Sequence, residues 1–262
     1  MSSAPWKPIL RSLISENIKN MKTSTPLLPM QFSTFDTLTC RPTNRSVMFR
    51  GFLGERKDEN YKNELMEYLN SISPDANLKE LNPEIETDLL VITTDIRSSK
   101  VKHLLENPGL SGNAYVFSSP TNSIITHFPS DMLLSFYSFA NSTSQIKHFD
   151  WEQERKKYWY GISSDIRANF LRFPSGQEIN EGEIPNVVRE LDPIGKNIEE
   201  KLLVNEALEN FALVVMKVDY VDHLDLTSIP KRITWKFQKS DDEFITIDIL
   251  TKKMISSLNL KP

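Results

Sequence analysis

Two short runs of this chain carry the side chains that a phosphate group asks for. The first is Asn44-Arg45-Ser46-Val47-Met48-Phe49-Arg50 and the second is Thr93-Thr94-Asp95-Ile96-Arg97-Ser98-Ser99-Lys100. A phosphate dianion is held by planar guanidinium forks, a lysine point charge and hydroxyl or backbone N–H donors. Laid side by side, the two runs bring Arg45, Arg50, Thr94, Ser98, Ser99 and Lys100 near one another. Ser98 also suits a helix N-cap, and a helix starting there adds its first N–H groups to the same corner. One constraint opposes a single shared corner. Arg45 and Arg50 are five residues apart, so on an ideal strand they point to opposite faces.

Other chemistries find little support. The four histidines, His103, His127, His148 and His223, do not pair at metal-ligand spacing. The eight glycines are scattered, with no nucleophile elbow, P-loop or dinucleotide-binding pattern. A single cysteine, Cys40, allows neither an internal disulfide nor a cysteine metal cluster, and this suits a reducing compartment. With net charge -4, the chain lacks the basic field of a general nucleic-acid binder. No run approaches the roughly 18 apolar residues of a membrane span. Lys7, Arg11, Glu16 and Lys19 interrupt any signal-peptide core. The expected location is the cytoplasm, with the nucleus open as an extension. The expected ligand is a small molecule, not nucleic acid or membrane.

The elements that must position these residues follow from periodicity and breakers. Residues 6–21 have an apolar face at helical spacing behind Pro8, and helices are also expected over 61–69, 99–106, 150–162, 163–171 and 198–210. Strands are expected over 30–39 and 45–53, joined by a turn at Cys40-Arg41-Pro42. Further strands are expected over 89–94, 113–118, 123–128, 211–218, 220–226, 232–237 and 244–250. Residues 177–197 read as a long polar connection. Short connections make most of the pairing antiparallel, and the strand count favours a closed or partly closed barrel with helical decoration. The aromatic group Trp151, Tyr158, Trp159 and Tyr160 reads either as helix packing, as a dimer contact, or as a wall for a ring-shaped ligand.

Taken in order, these motifs resemble the pyridoxamine 5′-phosphate oxidase-like FMN-binding split-barrel family. Thr34-Phe35-Asp36 through Cys40-Arg41-Pro42-Thr43-Asn44-Arg45-Ser46-Val47 is similar to the family's first hairpin. Phe49-Arg50-Gly51-Phe52 resembles its R-G-F continuation, and Thr94 to Lys100 resembles its T-D-x-R-S-x-K run. Ile162-Ser163, Arg167-Ala168-Asn169-Phe170 and Phe173-Pro174-Ser175-Gly176 resemble a later segment, and 210–224 its closing strands. The likeness spans about residues 6 to 250 and is closer to the subgroup known only as FMN-binding than to the vitamin B6 oxidases.

The resemblance implies an α+β, mainly β fold: an antiparallel, Greek-key-like split β-barrel with peripheral helices, as one domain over residues 1–262. Its first barrel part and phosphate cradle would span 30–130, a helical segment 150–210, and the closing strands 211–250. It implies FMN at a homodimer interface, with the cofactor-binding set Arg45, Ser46, Val47, Met48, Phe49, Arg50, Thr93, Thr94, Ser98, Ser99, Lys100 and Ser123. Three departures stand out. Cys40 replaces the hairpin glycine, so that turn is built with strain or differently. Ser123-Ile124-Ile125 stands where the family carries Gln-Phe-Arg, and no C-terminal R-x-H is present. The implied function is an FMN-binding protein, with flavin-dependent oxidoreduction of a small substrate. The alternative is a non-catalytic binding or regulatory protein on the same scaffold. It would have weak or lost flavin binding, or a pocket for another phosphorylated ligand such as pyridoxal phosphate.

Overall fold

The run Phe211-Ala212-Leu213-Val214-Val215-Met216 is apolar at every position, so a strand built from it hides both its faces. All six side chains are buried in the computed structural model, which describes residues 4–20, 28–55, 87–106, 113–117, 151–174, 188–225, 231–238 and 243–249. The elements in chain order begin with α1 (Lys7–Asn20), β1 (Pro29–Asp36), β2 (Arg41–Phe52) and β3 (Leu90–Asp95). Next come α2 (Ser99–Glu106), β4 (Asn113–Phe117), α3 (Trp151–Tyr160), α4 (Ser164–Asn169) and α5 (Ile198–Asn210). The chain closes with β5 (Phe211–Lys217), β6 (Tyr220–Asp225), β7 (Lys231–Gln238) and β8 (Glu243–Ile249). The expected strand at 123–128 and helix at 61–69 lie outside the described residues. Among the described residues no helix is long and apolar enough to cross a membrane.

The strands form two sheets, one ordered β1-β2-β3-β5-β4 and one ordered β6-β7-β8. The pairs β1–β2, β2–β3, β3–β5, β6–β7 and β7–β8 are all antiparallel. The chain divides into two compact units. Leu27–Met216 holds the five-stranded sheet with α2 to α5, and Ser2–Pro26 with Lys217–Pro262 holds α1 and the three-stranded sheet. In the second unit Thr234 and Trp235 are buried. There Arg232 and Asp222 form an exposed fork across β6 and β7 that lowers the carboxyl pKa of Asp222.

Alternation along the strands gives the larger sheet two covered faces. On one, Phe32, Val47, Ile92, Val214 and Met216 pack with Leu104 of α2. On the other, Val91, Leu213 and Val215 pack with Tyr158 and Trp159 of α3, Ala168 of α4, and Val204, Ala207 and Leu208 of α5. Trp159, Phe170 and Phe211 meet edge to face or tilted, with centroids 5.1–6.1 Å apart. Burial pushes the Tyr158 phenol well above its ordinary value, and its hydroxyl donates to the Phe52 carbonyl at 3.4 Å. The aromatic group is therefore helix packing at Tyr158, Trp159 and Tyr160, which are all buried. The second half of the expected polar connection is also packed: Leu191 is buried and its carbonyl accepts from Arg167 Nε at 2.9 Å.

The first hairpin turns earlier than expected. Asp36 pairs with Arg41, so the turn is Thr37 to Cys40 and β2 already contains Pro42. The cause is local. The Asp36 carboxylate accepts the Leu38 N–H at 3.0 Å and the Thr39 hydroxyl at 2.8 Å, closing the turn at that point. Pro42 is tolerated because the recorded β2–β3 pairing begins only at Phe49, so its missing N–H is not needed on that side. Cys40, in the place of the family's glycine, has φ 53°, the left-handed region that a Cβ disfavours. Cys40→Gly is therefore expected to stabilise the protein by about 1 kcal/mol and to raise Tm by roughly 2–4 °C in a thermal melt. An unchanged or lower Tm would count against strain at this turn.

Candidate phosphate-binding site

Strand register decides which of the polar residues share a face. In β1–β2, Phe32 stands opposite Arg45, and Thr34 opposite Thr43. Phe32 and Val47 face α2, so Arg45, Thr34 and Thr43 do as well. Arg45 NH1 donates to Thr34 Oγ1 at 2.6 Å, and NH2 donates to Thr43 Oγ1. The Thr34 hydroxyl also lies 2.9 Å from Nδ1 of His103, a buried residue of α2. Thr94 has the same parity as Ile92 and points to the same side. Lys100 Nζ donates to Thr94 Oγ1 at 2.9 Å, and that oxygen lies 3.3 Å from Ser98 Oγ. Ser98 opens α2: its carbonyl accepts the N–H of Val101 at 3.0 Å and its hydroxyl donates to the Asp95 carbonyl at 2.7 Å.

Thr94, Ser98 and Lys100 thus gather where α2 begins, and Arg45, on the same face of the sheet, is near enough to act on the Lys100 charge. Burial lowers the Lys100 ammonium pKa from its ordinary 10.5, the positive charge of Arg45 lowers it further, and Asp95 partly opposes both. Burial also lowers the Arg45 guanidinium. Among the described residues no carboxylate stands within ion-pair distance of Arg45 or Lys100. Two positive side chains that act on each other's charge, with no carboxylate in ion-pair contact and beside hydroxyls and a helix start, fit a phosphate group.

The remaining expected residues take other places. Arg50 is on the reverse face, where its Nε donates to Thr93 Oγ1 at 3.0 Å, so these two form a pair apart from the Arg45 corner. Between Phe49 and Phe52 the register shifts at a bulge whose Gly51 has φ 102°, a conformation only glycine adopts easily. Val47 is in the core, Phe49 meets the Phe52 ring edge-on, and Ser46 accepts from Gln31 on the exposed face of the hairpin. Met48 is half-buried, and Ser99 is exposed at the start of α2. Ser123 lies outside the described residues. Thr34, Thr43 and His103 join the corner without having been anticipated. The signal for the two threonines was available, since a hairpin turn at 37–40 sets them opposite each other and next to Arg45.

Residues 3–129 match the family model for the pyridoxamine 5'-phosphate oxidase FMN-binding domain. The match covers just under half of the chain. The family-matched stretch contains the whole Arg45–Lys100 corner. A pyridoxamine 5'-phosphate oxidase-related, FMN-binding protein of Nostoc punctiforme PCC 73102 has a similar fold, with TM-score 0.55 and 19% identity over 95% of this chain and 99% of that one. The uncharacterized protein YGR017W of Saccharomyces cerevisiae is 22% identical over 91% of this chain and 94% of its own length.

Proposed function

We propose that this chain binds FMN, with the flavin phosphate held by Arg45, Thr94, Ser98, Lys100 and the first turn of α2. The observation that carries the reading is the cluster of Lys100, Thr94 and Ser98 at the start of α2, with Arg45 near enough to act on the Lys100 charge and no carboxylate in ion-pair contact with either, within a stretch that matches an FMN-binding family. In this reading the fold is of the split β-barrel kind and pairs as a homodimer, with the ligand at the interface. Family resemblance supports the barrel and the dimer. When bound, the flavin supplies the redox chemistry, directed at a small substrate, while the chain binds and orients it.

Purified protein is incubated with FMN, desalted and read by absorbance, then titrated calorimetrically. Retained flavin with a saturable isotherm is the expected result, and no bound flavin in either measurement sinks the proposal. Light scattering on the same sample is expected to give twice the monomer mass of 30.2 kDa; a monomer that still binds FMN would remove the dimer from the reading.

A further inference from the structure

The side chains of the run from Thr94 to Lys100 divide between two jobs. Thr94, Ser98 and Lys100 serve the phosphate corner, whereas Asp95 and Arg97 are engaged with each other and with the helical layer. The Arg97 backbone N–H and Nε donate to Asp95 Oδ1 at 2.8 and 3.0 Å, and NH2 donates to Oδ2 at 2.7 Å. The same NH2 donates to the carbonyls of Phe170 at 3.2 Å and Arg172 at 2.8 Å, just past the end of α4. Asn210 adds to the tie: its side chain donates to the Phe170 carbonyl at 2.9 Å, and its own carbonyl accepts the N–H of Ile96 at 2.9 Å. The turn between β3 and α2 is thus fastened at two consecutive residues, Ile96 and Arg97, to the α5–β5 junction and to the end of α4.

We propose that Arg97 is a positioning residue for the phosphate corner. It acts in two ways without touching the ligand. Its fork holds the turn that aims Ser98 and Lys100, which a flexible ammonium at the same position could not span. It also occupies the Asp95 carboxylate. Asp95 is the one group recorded as raising the Lys100 pKa, so once released from Arg97 it becomes a rival for the Lys100 charge. Loss of Arg97 then both loosens the corner and offers Lys100 an internal anion in place of the phosphate.

This inference rests on the FMN reading above, and its test uses riboflavin, which is FMN without the phosphate. Affinities for FMN and riboflavin are measured by flavin fluorescence for the wild type, Arg97→Met and Arg97→Lys. The wild type is expected to prefer FMN. Arg97→Met is expected to narrow that preference by roughly tenfold, the scale of one charge-assisted hydrogen bond, by weakening FMN alone. Arg97→Lys, which keeps the charge, is expected to leave the preference narrowed and serves as the readable variant if Arg97→Met does not fold. A merely structural role would weaken both flavins alike; that result, or full recovery of the preference by Arg97→Lys, overturns the inference and leaves FMN binding standing. A wild type that binds neither flavin, or that does not prefer FMN, overturns the phosphate reading and the inference with it.

Discussion

Replacement of Arg155 by methionine is expected to cost about 3–5 kcal/mol of folding stability, the usual consequence of removing one partner from a buried charged network. At this chain length that lowers Tm by on the order of 10 °C. Arg155 is 2% exposed, and every arm of its guanidinium is used. Nε and NH2 each donate to a Glu152 carboxylate oxygen at 2.7 Å. NH1 donates to the carbonyls of Leu208 at 2.7 Å and Phe211 at 3.0 Å. Those carbonyls sit where α5 passes into β5. The Leu208 carbonyl also accepts the Phe211 N–H, so Arg155 gives it a second partner and supplies a buried donor to the Phe211 carbonyl.

Methionine fills much of the same volume and supplies none of these donors. Lysine keeps the charge but cannot reach Glu152 and two carbonyls at once, so Arg155→Lys is expected to recover only part of the loss. Urea denaturation read by circular dichroism measures both variants. Lys102→Ala is the control: Lys102 and Glu106 form a 3.9 Å ion pair on α2 with side chains 56% and 37% exposed. That change is expected to stay within about 0.5 kcal/mol. A comparable loss in the control, or a negligible one at Arg155, would contradict the assigned role.

Arg155 also marks the limit of what the amino-acid order reveals. Helix α5 and strand β5 were legible, because a polar-flanked helical period runs straight into an apolar run at Phe211. Helix α2 was legible from Ser98 to Glu106 because a buried strand, a capping serine and Asn107-Pro108 bracket it. The odd spacing of Arg45 and Arg50 correctly anticipated opposite faces. Nothing in the local sequence around Arg155 marks its role. Its partners are 53 and 56 residues away, and no local period encodes a carbonyl presented by another element. Arg167 is a second case, gathering the carbonyls of Trp159, Ile162 and Leu191 from inside the core. The first hairpin was misplaced for the opposite reason. Pro42 is a common turn residue, whereas the Asp36 carboxylate closes the turn ahead of it and leaves Pro42 inside the strand.

Lys100→Met and Arg45→Met are each expected to weaken FMN binding by roughly ten- to a hundredfold, since each removes a charged donor from a phosphate. Riboflavin affinity should not follow. Because the two residues share one corner, the double variant should lose less than the sum of the single losses. The pH dependence then separates their roles. Lys100 in the free protein titrates below its ordinary 10.5, held down by burial and by the charge of Arg45. Its ammonium therefore costs the free protein stability at every pH below that lowered pKa, and the cost fades as pH rises from there toward 10.5. A bound phosphate favours the ammonium, so above the lowered pKa binding must take up a proton and FMN affinity falls with rising pH. The fall should begin below pH 10.5 in the wild type and be absent in Lys100→Met. In Arg45→Met the neighbouring charge is gone, the Lys100 pKa moves back toward 10.5, and the decline should start at higher pH than in the wild type. Isothermal titration with FMN across the alkaline range reads all three profiles. An Arg45→Met profile that declines earlier than the wild type would show that the two charges do not share a phosphate.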